Sequence, residues 1–399
     1  MEIFKQTNFD FLGKKWPFIA VSLVLTAAGL ISLAVKGGPK YGIDFNGGAL
    51  MYVKFAHRPS AEQIRSAVRK RISGEIDVQE ITNSQEVLVS TEVKDEKTLN
   101  VERQGMVQAL NDAFGNKSGK LDVNNVGAAS LADRLRGPLQ QASVAISDDQ
   151  LQAVAKAILS FRDSAPQSGL ISNLDQLASV PGVTPQVLQV LKQECYPGAF
   201  AIRNVEIVGP KIGADLRQQA VNVVLVALAA MLVYIWFRFE WIYGVAAVIA
   251  VFHDTIITIG LFSIFNKSID LTVLAALLTL VGYSMNDTIV VFDRIRENLK
   301  LQRRGSFSEV VNASINQTLS RTILTSGLTL LTAFALYLFG GQVLNGFSFA
   351  LVVGIIVGTY SSIFIASPIL IFWKDFLDTR RRPARPVSPA ARSAVRAAK

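Results

Sequence analysis

The chain has 399 residues, 50% of them hydrophobic and 18% charged, with a formal net charge of +9. That balance excludes an ordinary soluble enzyme and fits an integral membrane protein with one sizeable polar region. A single cysteine, Cys195, excludes an internal disulfide framework, and with only two histidines it leaves little for a zinc site.

The N-terminal segment, 1–16, carries Lys5, Lys14 and Lys15 and precedes a first apolar run, 17–36, free of charge until Lys36. A secretory signal would have a shorter apolar core, about 7–15 residues, and a small-x-small cleavage site. The longer run, followed by Gly37-Gly38-Pro39, predicts an uncleaved first membrane helix.

Residues 37–219 are polar. They open with Tyr41-Gly42-Ile43-Asp44-Phe45-Asn46-Gly47-Gly48, a run rich in turn formers. Strand-like alternation at 49–55, 76–81, 86–93 and 201–208, with helical patterns at 60–72 and 96–114, predicts a small βαββαβ α+β domain. Ser60 reads as the N-cap of its helix, and Asn83-Ser84-Gln85 as a hairpin turn. From 115 to about 200, helical patterns at 128–139, 147–162 and 174–194 interrupt that domain. They read as a helical insertion whose ends lie close together. Leu174 to Val183 resembles a helix-hairpin-helix, whose glycine turn can hold a nucleic-acid phosphate. No Lys or Arg cluster flanks this turn, so a structural hairpin is the better reading and no nucleic acid is expected. Cys195 reads as a small apolar filler.

Gly209-Pro210-Lys211-Ile212-Gly213 then leads into residues 220–373, which hold five more apolar runs: 220–237, 241–265, 271–298, 322–339 and 347–373. Each is long enough to cross a bilayer. Gly42, Asp44, Gly47 and Gly48, with Gly209, Pro210 and Gly213, mark the two junctions between the polar domain and the membrane. Arg238-Phe239-Glu240 reads as a tight turn. The last run is rich in small residues, Gly354, Gly358, Ser361 and Ser362, which let helix backbones approach closely. The tail, 374–399, becomes Arg, Pro and Ala and is expected to be disordered and drawn to anionic lipid. Lys14, Lys15, Arg238, Arg294, Arg296, Lys300, Arg303, Arg304 and Arg380 to Arg382 fall on one side, against Lys267 in the short turns of the other. The positive-inside rule makes both termini cytoplasmic and the large loop external.

Asp287, beside Asn286, lies inside the apolar run of 271–298. An acid there costs about 2.5–3.5 kcal/mol on insertion scales. Helical spacing puts Leu278, Val281, Met285, Ile289 and Phe292 on one face, fit for lipid or a neighbouring helix. Thr279, Tyr283, Asn286 and Asp287 fall on another, fit for a bundle interior or a water-filled path. Asp287 is either a functional group or a structural carboxylate held by hydrogen bonds. Arg321 begins a stripe with Thr325, Thr329 and Thr332; it either pairs with Asp287 or snorkels to the headgroups. His253-Asp254 is either a neutralised structural pair or a second acid in a relay.

The motifs YGIDFNGG, VGPKIGADL, VFHDTIITIG, LTLVGYSMNDTIVVFDRIREN, SRTILTSGLTLLTAF and VGTYSSIFIASP resemble those of the SecF family, in order, over residues 1–114 and 201–375. The resemblance implies six transmembrane helices, one extracytoplasmic domain and a SecD-like partner. It implies that proton flow assists late stages of translocation of an exported polypeptide through the SecYEG translocon. It also implies a bacterial cytoplasmic membrane, contact with lipids, and no cofactor or metal. The resemblance carries a proton-pathway role to Asp287 and Arg321 alone; position on the helices adds Asn286, Tyr283 and Thr325 as hydrogen-bonding neighbours, and His253 and Asp254 as further candidates for that path. The insertion departs from the compact pattern of that family. Two alternatives remain: half of a proton-driven small-molecule exporter of the same resistance-nodulation-division superfamily, and an intramembrane aspartyl protease using Asp254 and Asp287. The protease would need a Gly-x-Gly-Asp stretch that the membrane runs lack.

Overall fold

The first membrane helix, α1 (Lys15–Val35), has an apolar surface open on most sides, as a helix bathed in lipid requires. The computed structural model describes residues 7–381, except 73, 82–84, 94, 96, 97, 116–118, 239, 240, 302–305 and 342. Lys5, Asn83, Ser84, Phe239, Glu240, Arg303, Arg304 and the tail from Arg382 lie outside them. Two units result: Met1–Lys40 with Gln219–Lys399, and Tyr41–Gln218.

The second unit begins with one helical turn, α2 (Ile43–Asn46), and the strand β1 (Gly48–Phe55). Helix α3 (Ala61–Arg69) starts at Ser60, whose hydroxyl accepts from the Gln63 amide while the Gln63 side chain accepts from Ser60 N, a complete capping box. Strands β2 (Ile76–Glu80) and β3 (Glu86–Glu92) and helix α4 (Leu99–Phe114) follow. Every second residue along β3 is buried, the period-2 signature of one face on a core. Ile64 and Val68 of α3 and Met106 and Leu110 of α4 meet Met51, Val53, Val87 and Val89 of the sheet.

Between α4 and the last strand lies a second core. It is built by the strand β4 (Leu121–Asp122), helices α5 (Ala128–Gln141) and α6 (Asp148–Asp163), a 3-10 turn (Leu174–Ser179), helix α7 (Pro185–Glu194) and the strand β5 (Cys195–Tyr196). Leu131, Leu135, Leu151, Ile158, Leu177 and Leu191 fill its centre. The helical pattern at 174–194 turns in its middle, at the hairpin read from Leu174 to Val183. Pro181 and Gly182, the latter at φ +87°, turn the chain, and the Thr184 hydroxyl caps α7 by accepting from Val187 N. The strand β6 (Phe200–Val208) then completes the sheet in the order β2-β3-β1-β6, every neighbouring pair antiparallel. Phe114 before the insertion and Phe200 after it both pack on Phe55, with ring centroids 5.5 and 5.9 Å away. The Asn125 amide accepts from Ile202 N and donates to the Phe200 carbonyl, each at 2.9 Å, so it occupies the open edge of β6 as a further strand would.

Cys195 is 1% exposed, and burial pushes its thiol up to about 12. The thiolate, the reactive form, is therefore scarce at any physiological pH. Native chain at pH 8 is expected to resist a maleimide reagent over the time in which denatured chain labels fully. Comparable labelling of the two by mass spectrometry would contradict this placement.

Helix α8 (Pro210–Arg238) begins in the second unit and belongs to the membrane unit from Gln219, which continues with α9 (Trp241–Ile264), α10 (Leu271–Leu301), α11 (Phe307–Phe339), α12 (Asn345–Ser361), a π-helical turn (Ser362–Ala366) and α13 (Ser367–Arg381). Among the described residues, six helices are long and apolar enough to span a membrane, the last running through the π turn as Asn345–Leu377. Met285 and Phe292 sit in the core with Tyr243, Val291, Ile295 and Ile315, so the apolar face of α10 packs on helices. The segment before α1 is strapped to α11. Asn316 Oδ1 accepts from Phe9 N at 2.8 Å, and Asn312 Oδ1 accepts from Phe11 N at 3.0 Å.

Candidate functional site

Among the described residues, two carboxylates, Asp254 and Asp287, are buried inside the bundle. Asp254, midway along α9, is 1% exposed, and side chains from three elements bear on it. Ser284 of α10 and Ser361 of α12 donate to its Oδ2 at 2.5 and 2.7 Å. His253 Nδ1 meets its Oδ1 at 2.9 Å, and His253 Nε2 meets the Ser22 hydroxyl of α1. The acid is thus tied to α1, α9, α10 and α12 at once. Helices come this close because small residues line the crossings. A Cβ on Gly358 would stand 3.0 Å from Ser284 Cβ, and one on Gly354 would run into Leu280 at 2.5 Å.

Asp287 follows Ser284 by three residues on α10, so the two share a helix face. It is 2% exposed, and the Ser326 hydroxyl of α11 donates to its Oδ2 at 2.8 Å. Arg321 is exposed, and among the described residues no ion pair joins it to Asp287. The bond expected of Arg321 is made by Ser326, a hydroxyl that little in the residue pattern singles out. Its only signal was its place four residues after Thr322, both of them buried while the threonine stripe is not.

That stripe faces outward. Thr325, Thr329 and Thr332 donate to the carbonyls of Arg321, Thr325 and Leu328 on their own helix, at 3.0, 2.9 and 3.1 Å. Thr279 and Asn286 of α10 are likewise exposed, and Thr279 donates to the Ala275 carbonyl. The Tyr283 hydroxyl is buried with no hydrogen-bond partner among the described residues. The polar residues expected on one face of α10 therefore divide, Asp287 inward, Thr279 and Asn286 outward. Among the described residues no three His, Cys, Asp or Glu side chains cluster as a metal would need.

The junction residues come together within the second unit. A Cβ on Gly47, where φ is +74°, would lie 2.6 Å from Pro210 Cα, and one on Gly213 would lie 2.8 Å from Gly47 N. Glycine is needed here because backbone rests on backbone. Gly42 caps α2, Gly48 opens β1, Asp44 is half-buried in α2, and the Gly209 carbonyl accepts from Gly213 N at 2.9 Å.

Residues 187–375 match the family described as "Protein export membrane protein SecD/SecF, C-terminal". The chain is 48% identical over 403 residues to the protein translocase subunit SecF of Koribacter versatilis, covering 98% of each chain. It is 38% identical to that of Desulfurispirillum indicum, covering 89% of this chain and 88% of the other. A crystal structure of SecDF from Thermus thermophilus, described as a translocon-associated membrane protein, superposes with a TM-score of 0.63 at 30% identity. The match covers 92% of this chain and 39% of that one.

Proposed function

We infer the function from one premise: this chain belongs to the SecF family of protein translocase subunits. It is a membrane-embedded accessory subunit of protein export. We read it as using the proton motive force to assist late stages of Sec-dependent translocation, beside a SecD-like subunit and the SecYEG translocon. Its place is the bacterial cytoplasmic membrane, with both termini cytoplasmic and the 41–218 unit outside.

One observation carries the proton-coupled reading: Asp287 is buried among apolar helices with a neutral hydroxyl as its bonded neighbour. A carboxyl so placed exchanges a proton at modest structural cost, because Ser326 can donate to the charged form or accept from the neutral one. Arg321 stands on the same side of α11 as the exposed threonines. A SecD-like chain laid over Thr279, Asn286, Arg321 and Thr325 would desolvate that guanidinium and strengthen its pull on Asp287. Loading and unloading the proton then biases two arrangements of α10 and α11, which is what coupling requires. The protease reading finds no support, since Asp254 and Asp287 are each engaged by their own serines.

The test uses inverted membrane vesicles holding the chain and a SecD-like partner. An imposed proton gradient is expected to raise export above an ATP-only control, and vesicles lacking the chain are expected to lose that increment. An equal increment without the chain sinks the reading. Altered drug efflux with unchanged export would favour the exporter instead.

A further inference from the structure

The Ser361 hydroxyl has one proton and two acceptors within reach: Asp254 Oδ2 at 2.7 Å and the Gly358 carbonyl at 3.1 Å. This spare acceptor changes what Asp254 can do. With the carboxylate charged, Ser361 and Ser284 both donate to Oδ2 while His253 serves Oδ1. When a proton binds Oδ2, the new O–H donates to Ser361 Oγ, and Ser361 turns its own proton to the Gly358 carbonyl. Ser284 keeps its bond to the second lone pair. In both states Asp254, Ser284, Ser361 and His253 keep a hydrogen-bond partner, which removes the usual obstacle to titration in an apolar interior.

Three further features fit a layer built to change state. The helix loosens into a π turn directly after Ser361, where Ser367 Oγ donates back to the Ser362 carbonyl at 2.9 Å. Tyr283 and Thr359, next in sequence to Ser284 and Gly358, hold buried hydroxyls with no bonded partner among the described residues. His253, whose side chain is 13% exposed, joins the cluster to Ser22 of α1. The titratable groups of this layer are His253 on its own helix, Tyr283 and Asp287 on α10, and Tyr360 on α12. Among the described residues, helix α1 meets this cluster through the Ser22 hydroxyl.

We propose that Asp254 is a second proton-binding residue of this chain, with Ser361 as its hydroxyl switch and His253 as the neighbour through which it loads. The inference rests on the proton-coupled reading of the bundle and extends it from one acid to two.

Infrared difference spectroscopy between acid and alkaline states of the full chain in lipid tests it, through the stretching band of protonated carboxyl groups. The wild-type band is expected to lose one component in Asp254→Asn and a different one in Asp287→Asn. Ser361→Ala is expected to shift the Asp254 component in frequency, and it keeps the test open should Asp254→Asn fail to fold. A wild-type band in both Asp254→Asn and Ser361→Ala overturns the inference and leaves Asp287 untouched. Loss of a component in Asp254→Asn with none in Asp287→Asn upholds it and sinks the reading of Asp287 instead.

Discussion

Replacing Asp287 with asparagine is expected to reduce gradient-driven export to the ATP-only level while the chain still folds and still binds its SecD-like partner. Asparagine keeps the shape of the side chain and an oxygen for the Ser326 hydroxyl, which lies 2.8 Å from Oδ2 in the native chain. The structural cost is that of one altered hydrogen bond, about 0.5–1.5 kcal/mol. What asparagine removes is the exchangeable proton and the charge that differs between two arrangements of the helices. Arg321→Ala is expected to lose coupling as well. Ser326→Ala is expected to be milder, because it weakens the hold on one carboxylate oxygen without abolishing protonation. Export into vesicles with and without an imposed gradient measures all three. A wild-type gradient response in Asp287→Asn makes Asp287 a structural carboxylate held by Ser326, and the mechanism falls.

Gly260→Leu is expected to separate α1 from α9. A Cβ built on Gly260 stands 2.6 Å from Gly29 Cα, and one on Gly29 stands 2.8 Å from Gly260 Cα. The obstacle is backbone, which cannot swing aside as a side chain would. Overpacking of this kind typically costs about 1–3 kcal/mol, and here the loss spreads along the pair. Ser32 and Ser263 share a hydrogen bond at 2.8 Å, Lys36 donates to the Ser263 carbonyl, and Ser22 meets His253. All three contacts depend on the close crossing between them, because lipid supplies no hydrophobic force to restore it. A cysteine pair, Ser32→Cys with Ser263→Cys in a Cys195→Ser background, is expected to oxidise to a disulfide readily. Adding Gly260→Leu is expected to cut that yield several-fold. Equal yields with and without the leucine would show that the crossing tolerates a side chain.

Local chemistry made much of this fold legible from the chain alone. Six membrane spans follow from the lengths of apolar runs. The four-stranded βαββαβ sheet follows from alternation in 49–55, 76–81, 86–93 and 201–208, because a period of two is written directly into side-chain order. Ser60 was readable as a cap because its partner, Gln63, is three residues away. The hairpin within 174–194 was readable because Pro181 and Gly182 stand in the middle of an otherwise helical period. Partners across helices were not legible. Ser326, Ser284 and Ser361 are ordinary hydroxyls in apolar runs, and nothing local separates them from Thr325 or Thr329. Their roles depend on how far each helix is rotated about its axis and where it crosses its neighbour. Those two quantities are set by glycines such as Gly29, Gly260, Gly354 and Gly358, which mark a close approach but not which backbone approaches. Tertiary structure alone decided that Asp287 turns inward to a serine while Arg321 turns outward, and that Asp254 gathers three helices onto one carboxylate. A helical period names the residues that share a face, and only packing chooses what that face meets.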